Sequence, residues 1–177
     1  MNGHSREEGL AIRIRKPKPE DGPAIWQLLR RSESLEDNTR DAYLLLASHF
    51  ANTSLVAHLA DRVVAFVGAY RPPPKSKTVF VWQIGVDAAL RRHGLGNALL
   101  RALIRCPGCE GVEYLEATVG SSNAASKRLF EGFARDIDAP CDLTTGFSSK
   151  QVSPLQDENE DLLRIGPIEA TGDRSPR

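Results

Sequence analysis

The sequence predicts a single α/β domain with a mixed, mostly antiparallel sheet of six to seven strands flanked by about four helices. Three observations carry this. Short runs that alternate apolar and polar side chains are interleaved with runs whose apolar residues recur at helical spacing. Their order, β-α-α-β-β-β-α-β-α-β-β, fits neither a doubly wound sheet nor a barrel. The chain has 177 residues, enough for one domain to bury its own core.

Residues 10–16 alternate at period two and read as a first strand. The run Pro19-Glu20-Asp21-Gly22-Pro23 opens a helix whose Ile25, Trp26, Leu28 and Leu29 form a core stripe. A polar stretch over 32–38 leads into a second helix over 39–51, with Tyr43, Leu44, Leu45, Leu46 and Phe50. Runs at 54–59 and 63–70 are rich in β-formers and joined by Ala60-Asp61-Arg62, a hairpin signal. Three prolines at 72–74 stop the third strand. A fourth strand over 78–86, a third helix over 94–105 and a fifth strand over 112–119 follow. A fourth helix over 123–131 is expected to end at Gly132. Segments 133–137 and 161–165 read as late strands around an irregular stretch. Residues 1–9 read as a flexible start, 10–166 as the domain, and 167–177, rich in Pro, Gly and charge, as a tail.

Composition narrows the function. Basic and acidic residues number 23 each, so no global field favours nucleic acid or an anionic membrane. No apolar run approaches the ~20 residues that span a bilayer. The polar, mixed-charge start is no signal peptide, and a cytoplasmic protein is the expectation. Three cysteines make no disulfide framework. Cys106-Pro107-Gly108-Cys109 is a C-x-x-C, but it follows the third helix, whereas a thioredoxin-type thiolate needs a helix start. A structural zinc would need a second ligand pair, so no metal is expected and the run reads as a Pro-Gly helix stop.

Chemistry concentrates at residues 79–100, where an apolar strand enters a basic glycine turn and then an amphipathic helix. In Arg91-x-x-Gly94-x-Gly96, glycines stand where the helix must begin. The first N–H groups of a helix lack partners within it, and its dipole favours negative charge there. With Arg91, Arg92 and His93 around it, the turn is a pyrophosphate cradle. It is neither a Rossmann fingerprint, lacking the G-x-G-x-x-G spacing, nor a Walker loop, lacking Gly-Lys-Ser/Thr.

This run resembles the acetyl-CoA pyrophosphate loop of the GCN5-related N-acetyltransferases. Asn123-x-x-x-x-Lys127-Arg128-Leu129-Phe130-x-x-Gly132-Phe133 resembles that family's next helix, and the element order agrees over about 12–165. The resemblance implies that acetyl-CoA is held by Ile84, Gly85, Val86, Arg91, Arg92, His93, Gly94, Leu95, Gly96 and Asn97. From the next helix it adds Asn123, Ser126 and Phe130. It implies direct transfer in a ternary complex, with a backbone N–H near Val86 stabilising the oxyanion. Many relatives carry a tyrosine acid where this chain has Phe130.

Five further blocks, at 37–39, 43–50, 80–86, 115–119 and 162–165, resemble one branch of the family more closely. Its members acetylate the 4-amino group of L-2,4-diaminobutyrate on the way to ectoine. The implied substrate residues are Asp37, Asn38, Tyr43, Trp82, Gln83, Glu116, Thr118, Asp157 and Glu158, with Glu116 and Glu158 also catalytic. A homodimer is implied as well. Two departures stand out: Gly120-Ser121 replaces an expected Thr-Pro, and Leu155-Gln156 stands where a histidine is expected.

The residues agree with an amine acceptor. An alkyl amine has an intrinsic pKa near ~10, so a site must bind or produce its neutral form, and carboxylates must hold a second ammonium. Glu36, Asp37, Glu116, Asp157 and Glu158 can supply them. Each has a plainer reading: Glu36 and Asp37 precede a helix, residues 157–161 form a solvated charge run, and Trp82 is a core aromatic. Two rival functions stay open. One is acetylation of another small amine, an aminoglycoside or a protein N-terminus; the other is a regulatory acyl-CoA-binding module without turnover.

Overall fold

Seven strands and four α-helices alternate along residues 11–31, 39–148 and 159–169, which a computed structural model describes. In chain order they are β1 (Ile12–Arg15), α1 (Gly22–Arg30), α2 (Arg40–His49), β2 (Leu55–Leu59), β3 (Arg62–Tyr70) and β4 (Thr78–Val86). Then come α3 (Leu95–Leu103), β5 (Tyr114–Gly120), α4 (Ala124–Asp136), β6 (Cys141–Thr145) and β7 (Glu160–Ile165). The strands form one sheet in the order β1-β2-β3-β4-β5-β7-β6. Every neighbouring pair is antiparallel except β4 and β5.

Each face of the sheet buries a separate core. On one face α3 presents Leu95, Leu99, Leu100 and Leu103, a helical stripe, and α4 adds Phe130, Phe133 and Ala134. They pack on Ala65, Val67, Val79, Val81, Leu115, Ala117 and Val119. On the other face Ile25, Leu28 and Leu29 of α1 and Tyr43 and Leu46 of α2 cover Val56, Val63 and Phe66. Each fully buried leucine or phenylalanine contributes about 1.5–3 kcal/mol, so the α3 stripe alone outweighs the glycines near it. Trp26 ties α1 to α2: the Arg30 and Arg40 guanidinium carbons lie 4.9 and 4.3 Å from its ring centroid.

Three expectations fail at the C-terminal end. The fourth helix does not stop at Gly132 but runs to Asp136, so 133–136 is helix and Ile137 its cap, rather than a strand. Burial of Phe133 and Ala134 beside Phe130 outweighs the ~1 kcal/mol that a mid-helix glycine costs. The sixth strand is instead Cys141–Thr145, exposed throughout at the sheet edge, where no apolar alternation marks it. The core also extends past residue 166, because Ile168 is buried and its N–H donates to the Glu113 carbonyl at 2.7 Å. Pro and Gly content marks 167–177 as tail, yet Ile168 is an apolar anchor within it.

A polar knot joins the start of α1 to β1 and β2. Buried Asp21 accepts Arg15 at 2.7 and 2.9 Å and the Lys18 N–H at 2.7 Å, with His58 Nε2 3.5 Å away. Burial pushes its carboxyl up, but these hydrogen bonds and the charges of Arg15 and His58 hold it below the ordinary value. A depressed folded pKa stabilises above the unfolded value of about 3.9, and that stabilisation is lost as pH falls through the folded one. Asp21→Asn is therefore expected to cost about 1–3 kcal/mol at neutral pH. In denaturant unfolding the gap to the parent protein closes as pH falls below the carboxylate range; a gap constant with pH contradicts this.

Candidate active site

The site begins where the sheet stops pairing. β4 and β5 run in register from Thr78 opposite Tyr114 to Val81 opposite Ala117, and no further. At that level β4 gains a residue against β3: Gly68 lies opposite Gln83 and Ala69 opposite Val81, leaving Trp82 as a bulge. A bulge bends its strand and ends pairing, so the two strands part into a wedge. It also breaks the alternation of faces. Val81 lies in the α3 core, while Trp82 and Gln83 both meet Tyr43 of α2.

The open edge of β4 carries backbone donors. Beyond the strand, the Asp87 N–H bonds back to Val64 at 2.8 Å, which fixes the alternation of the antiparallel ladder. Ile84 and Val86 then turn their N–H and C=O groups away from β3, toward the side β5 has vacated. The Val86 carbonyl accepts Arg91 Nε there at 3.2 Å.

The basic glycine turn follows. Gly94 has φ +77° and precedes α3 without a side-chain cap. A Cβ built on it meets nothing within 4 Å, so protein leaves the space above the helix start open. Arg92 also has positive φ, and His93 Nδ1 lies 2.8 Å from the Arg91 carbonyl. Arg91, Arg92, His93 and Gly94 are all exposed, so the cradle meets solvent with cations around it.

Other residues expected here have different neighbours. α4 crosses the first turn of α3: a Cβ on Gly96 would lie 3.1 Å from Leu129 Cδ1. Asn97 Nδ2 donates to Asp136 Oδ2 at 2.7 Å and its Oδ1 accepts Arg101 Nε at 3.0 Å. Leu95 and Phe130 lie in the core. Asn123 caps α4, its Oδ1 accepting the Ser126 N–H at 3.0 Å. Gly96, Leu95, Asn97 and Phe130 thus hold the helices that shape the cradle.

The α2 side of the wedge is aromatic and polar. Trp82 is 37% exposed, which overturns the core-aromatic reading. Its ring centroid is 6.3 Å from that of buried Tyr43, whose hydroxyl donates to Gln83 Oε1 at 2.7 Å. Thr118 stands on β5 beyond the last β4 pair, half-buried and on the face opposite Ala117 and Val119. One row below, Glu116 is 2% exposed. Lys75 Nζ reaches its Oε2 at 2.9 Å and Arg164 donates to its Oε1. The Arg164 guanidinium also stacks over Tyr114, 3.8 Å from the centroid. Glu116 is therefore an anchored carboxylate between two cations. Lys75 and Arg164 were not singled out from the sequence, because β7 comes to lie beside β5 only through the sheet order. Asp161 pairs with Lys127 at 3.2 Å, on the α4 side. Glu36, Asp37, Asn38, Asp157 and Glu158 lie outside the described residues.

A cleft of about 520 Å³ lies elsewhere, between α1 and the β2–β3 turn. The wedge is the better site, because there backbone donors, an open helix start and polar side chains converge.

The model of the acetyltransferase (GNAT) family matches residues 22–133. The chain is 40% identical to an L-2,4-diaminobutyric acid acetyltransferase of Shouchella clausii, over 89% of this chain and 88% of that protein. It is 41% identical to the same enzyme of Halalkalibacterium halodurans, over 89% and 82%. Among solved structures it resembles diaminobutyrate acetyltransferase EctA of Paenibacillus lautus, in complex with L-2,4-diaminobutyric acid and coenzyme A. There the TM-score is 0.86 at 35% identity, covering 93% of this chain and 100% of that one.

Two outcomes test the geometry. Gly94→Val places a β-branched residue at positive φ and fills the open space, so acetyl-CoA affinity should fall at least about tenfold by calorimetry; unchanged affinity removes the turn from the site. Tyr43→Phe leaves the buried Gln83 carbonyl without this donor and should cost about 1–3 kcal/mol in denaturant unfolding. Adding Gln83→Leu should recover part of that loss, and strictly additive losses argue against the pair.

Proposed function

The chain belongs to the acetyltransferase (GNAT) family, an acyl-CoA-dependent class of N-acetyltransferases, and we propose that it transfers acetyl from acetyl-CoA to the 4-amino group of L-2,4-diaminobutyrate. One observation carries the reading: the family's cofactor turn and a Trp-Gln pair meet at one wedge, in a chain about 40% identical to diaminobutyrate acetyltransferases over most of its length.

Acetyl-CoA supplies the activated acetyl group, and its fit is supported by the open space over Gly94 and the basic side chains of Arg91, Arg92 and His93. The edge of β4 at Ile84 and Val86 offers amides to the amide-bearing arm, and the Val86 N–H is the proposed donor to the carbonyl oxygen as it gains charge. Trp82, held against Tyr43, forms an apolar wall that excludes water and favours a neutral amine. Glu116 does not act as the base in this reading. Lys75 and Arg164 occupy its two oxygens, and it serves to orient them. That cluster carries one surplus positive charge, suited to the substrate's α-carboxylate, while Asp37, Asp157 and Glu158 are the proposed anchors of its second ammonium.

A homodimer and a cytoplasmic setting belong to the same proposal. Leu44, Leu45 and Phe50, 45, 52 and 42% exposed, support the first. Three unpaired cysteines support a reducing compartment. Light scattering that finds only monomer at assay concentration rejects the dimer.

The decisive assay follows free thiol released from acetyl-CoA with diaminobutyrate, ornithine, lysine and putrescine. Preference for diaminobutyrate by about tenfold or more in kcat/KM is expected, since one methylene alone discriminates by roughly 10–200-fold. Equal use of all four overturns the substrate. Trp82→Ala should lower kcat/KM for diaminobutyrate by about tenfold or more while leaving the KM for acetyl-CoA within about twofold.

A further inference from the structure

The Cys106-Pro107-Gly108-Cys109 run takes no part in this chemistry, yet it is built with unusual constraint. Pro107 starts a single 3-10 turn, Pro107–Cys109, just beyond α3. A Cβ on Gly108 would lie 2.3 Å from the Asn52 carbonyl oxygen, so only glycine lets the turn pack against the segment that joins α2 to β2. The turn is therefore pinned, and the two sulfurs it carries stand 3.5 Å apart. We propose that Cys106 and Cys109 form a reversible oxidation site that closes to an internal disulfide when a small peroxide reaches Cys106.

The two thiols are unequal in the way such a step requires. The Cys106 thiol donates to the Asn52 carbonyl at 3.0 Å; once it is ionised, the Cys109 thiol donates to it, the Gly108 and Cys109 amides face it, and Lys16 adds positive charge. Together they outweigh burial and lower its pKa to about 7. Cys109, sharing its proton with that sulfur and more deeply buried, is pushed up. A thiolate is the nucleophile, so Cys106 reacts first and Cys109 waits. Exposure runs in the same order, with Cys106 8% exposed and Cys109 2%.

The step balances. The Cys106 thiolate attacks one oxygen of hydrogen peroxide, the O–O bond breaks, and hydroxide leaves as water after taking a proton, giving a sulfenic acid. Cys106 no longer bears the charge that held the Cys109 proton. The Cys109 sulfur then displaces the sulfenic hydroxyl, which departs as water with that proton. Two electrons pass from the sulfurs to the peroxide, and a dithiol reductant reverses the change. Closing the gap from 3.5 Å to the ~2.05 Å of a disulfide brings the two sulfurs about 1.5 Å closer.

Cys141 is an internal control. It is exposed on β6, and burial of its sulfur with the Glu131 and Asp142 carboxylates pushes its thiol up. The experiment exposes the folded protein to hydrogen peroxide at neutral pH and follows each cysteine by alkylation and peptide mass. Cys106 should be lost at least about tenfold faster than Cys141, with a Cys106–Cys109 peptide two hydrogens lighter that a dithiol restores. Cys109→Ser, made in a Cys141→Ser background, should halt at a sulfenic acid that a diketone probe traps, and Cys106→Ser should leave Cys109 unmodified. Where a variant does not fold, Cys141→Ser alone decides by loss of two thiols without added oxygen. Oxidation of Cys106 no faster than Cys141, or gain of oxygen without a disulfide, overturns the proposal.

Discussion

A single extra residue in β4 organises the molecule. With Trp82 bulged, β4 stays in step with β3 but leaves β5 after Val81. A sheet interior does not ordinarily give up ladder bonds, since unpaired backbone groups are costly when buried. Here the vacated edge opens to a wedge, where solvent or an amide-bearing ligand takes the missing partner's place. The same slip sends Trp82 and Gln83 to one face. One backbone irregularity thus creates both walls, a backbone-donor edge on one side and an aromatic surface on the other.

The rest of the site is held by interactions that leave little freedom. Tyr43 is buried at the centre of the α1–α2 core, so its bond to Gln83 fixes β4 relative to α2. Glu116, anchored by Lys75 and Arg164, sets the row below Trp82. An isolated buried carboxylate would be strongly unfavourable; flanked by two cations and stacked on Tyr114 through Arg164, it becomes a stiff floor. Precision comes from buried contacts, while Trp82, Lys75 and the basic turn reach solvent.

Legibility in the sequence followed how local each signal was. β4 and α3 were readable almost to the residue, because strand alternation, Arg91, Gly94 and the leucine stripe all lie within one short stretch. The hairpin at Ala60 and Asp61 was readable for the same reason. What escaped depended on distant partners. Gly132 carries the mark of a helix stop, but Phe133 and Ala134 are claimed by the core. Gly96 and Asn97 read as ligand contacts within their motif, and the contacts they also make with Leu129 and Asp136 depend on another helix that the motif does not contain. The Trp82 bulge is invisible in period-two alternation, since register exists only between strands.

The stack of Arg30, Trp26 and Arg40 has an evolutionary consequence. The two helices it joins border the chain that links α1 to α2, and their ends are clasped by residues outside that chain. The pairing of the two helices is therefore carried by α1 and α2 themselves, and with it the placement of Tyr43 beside Trp82. A lineage that keeps Trp26 and its two arginines keeps that aromatic pair in place.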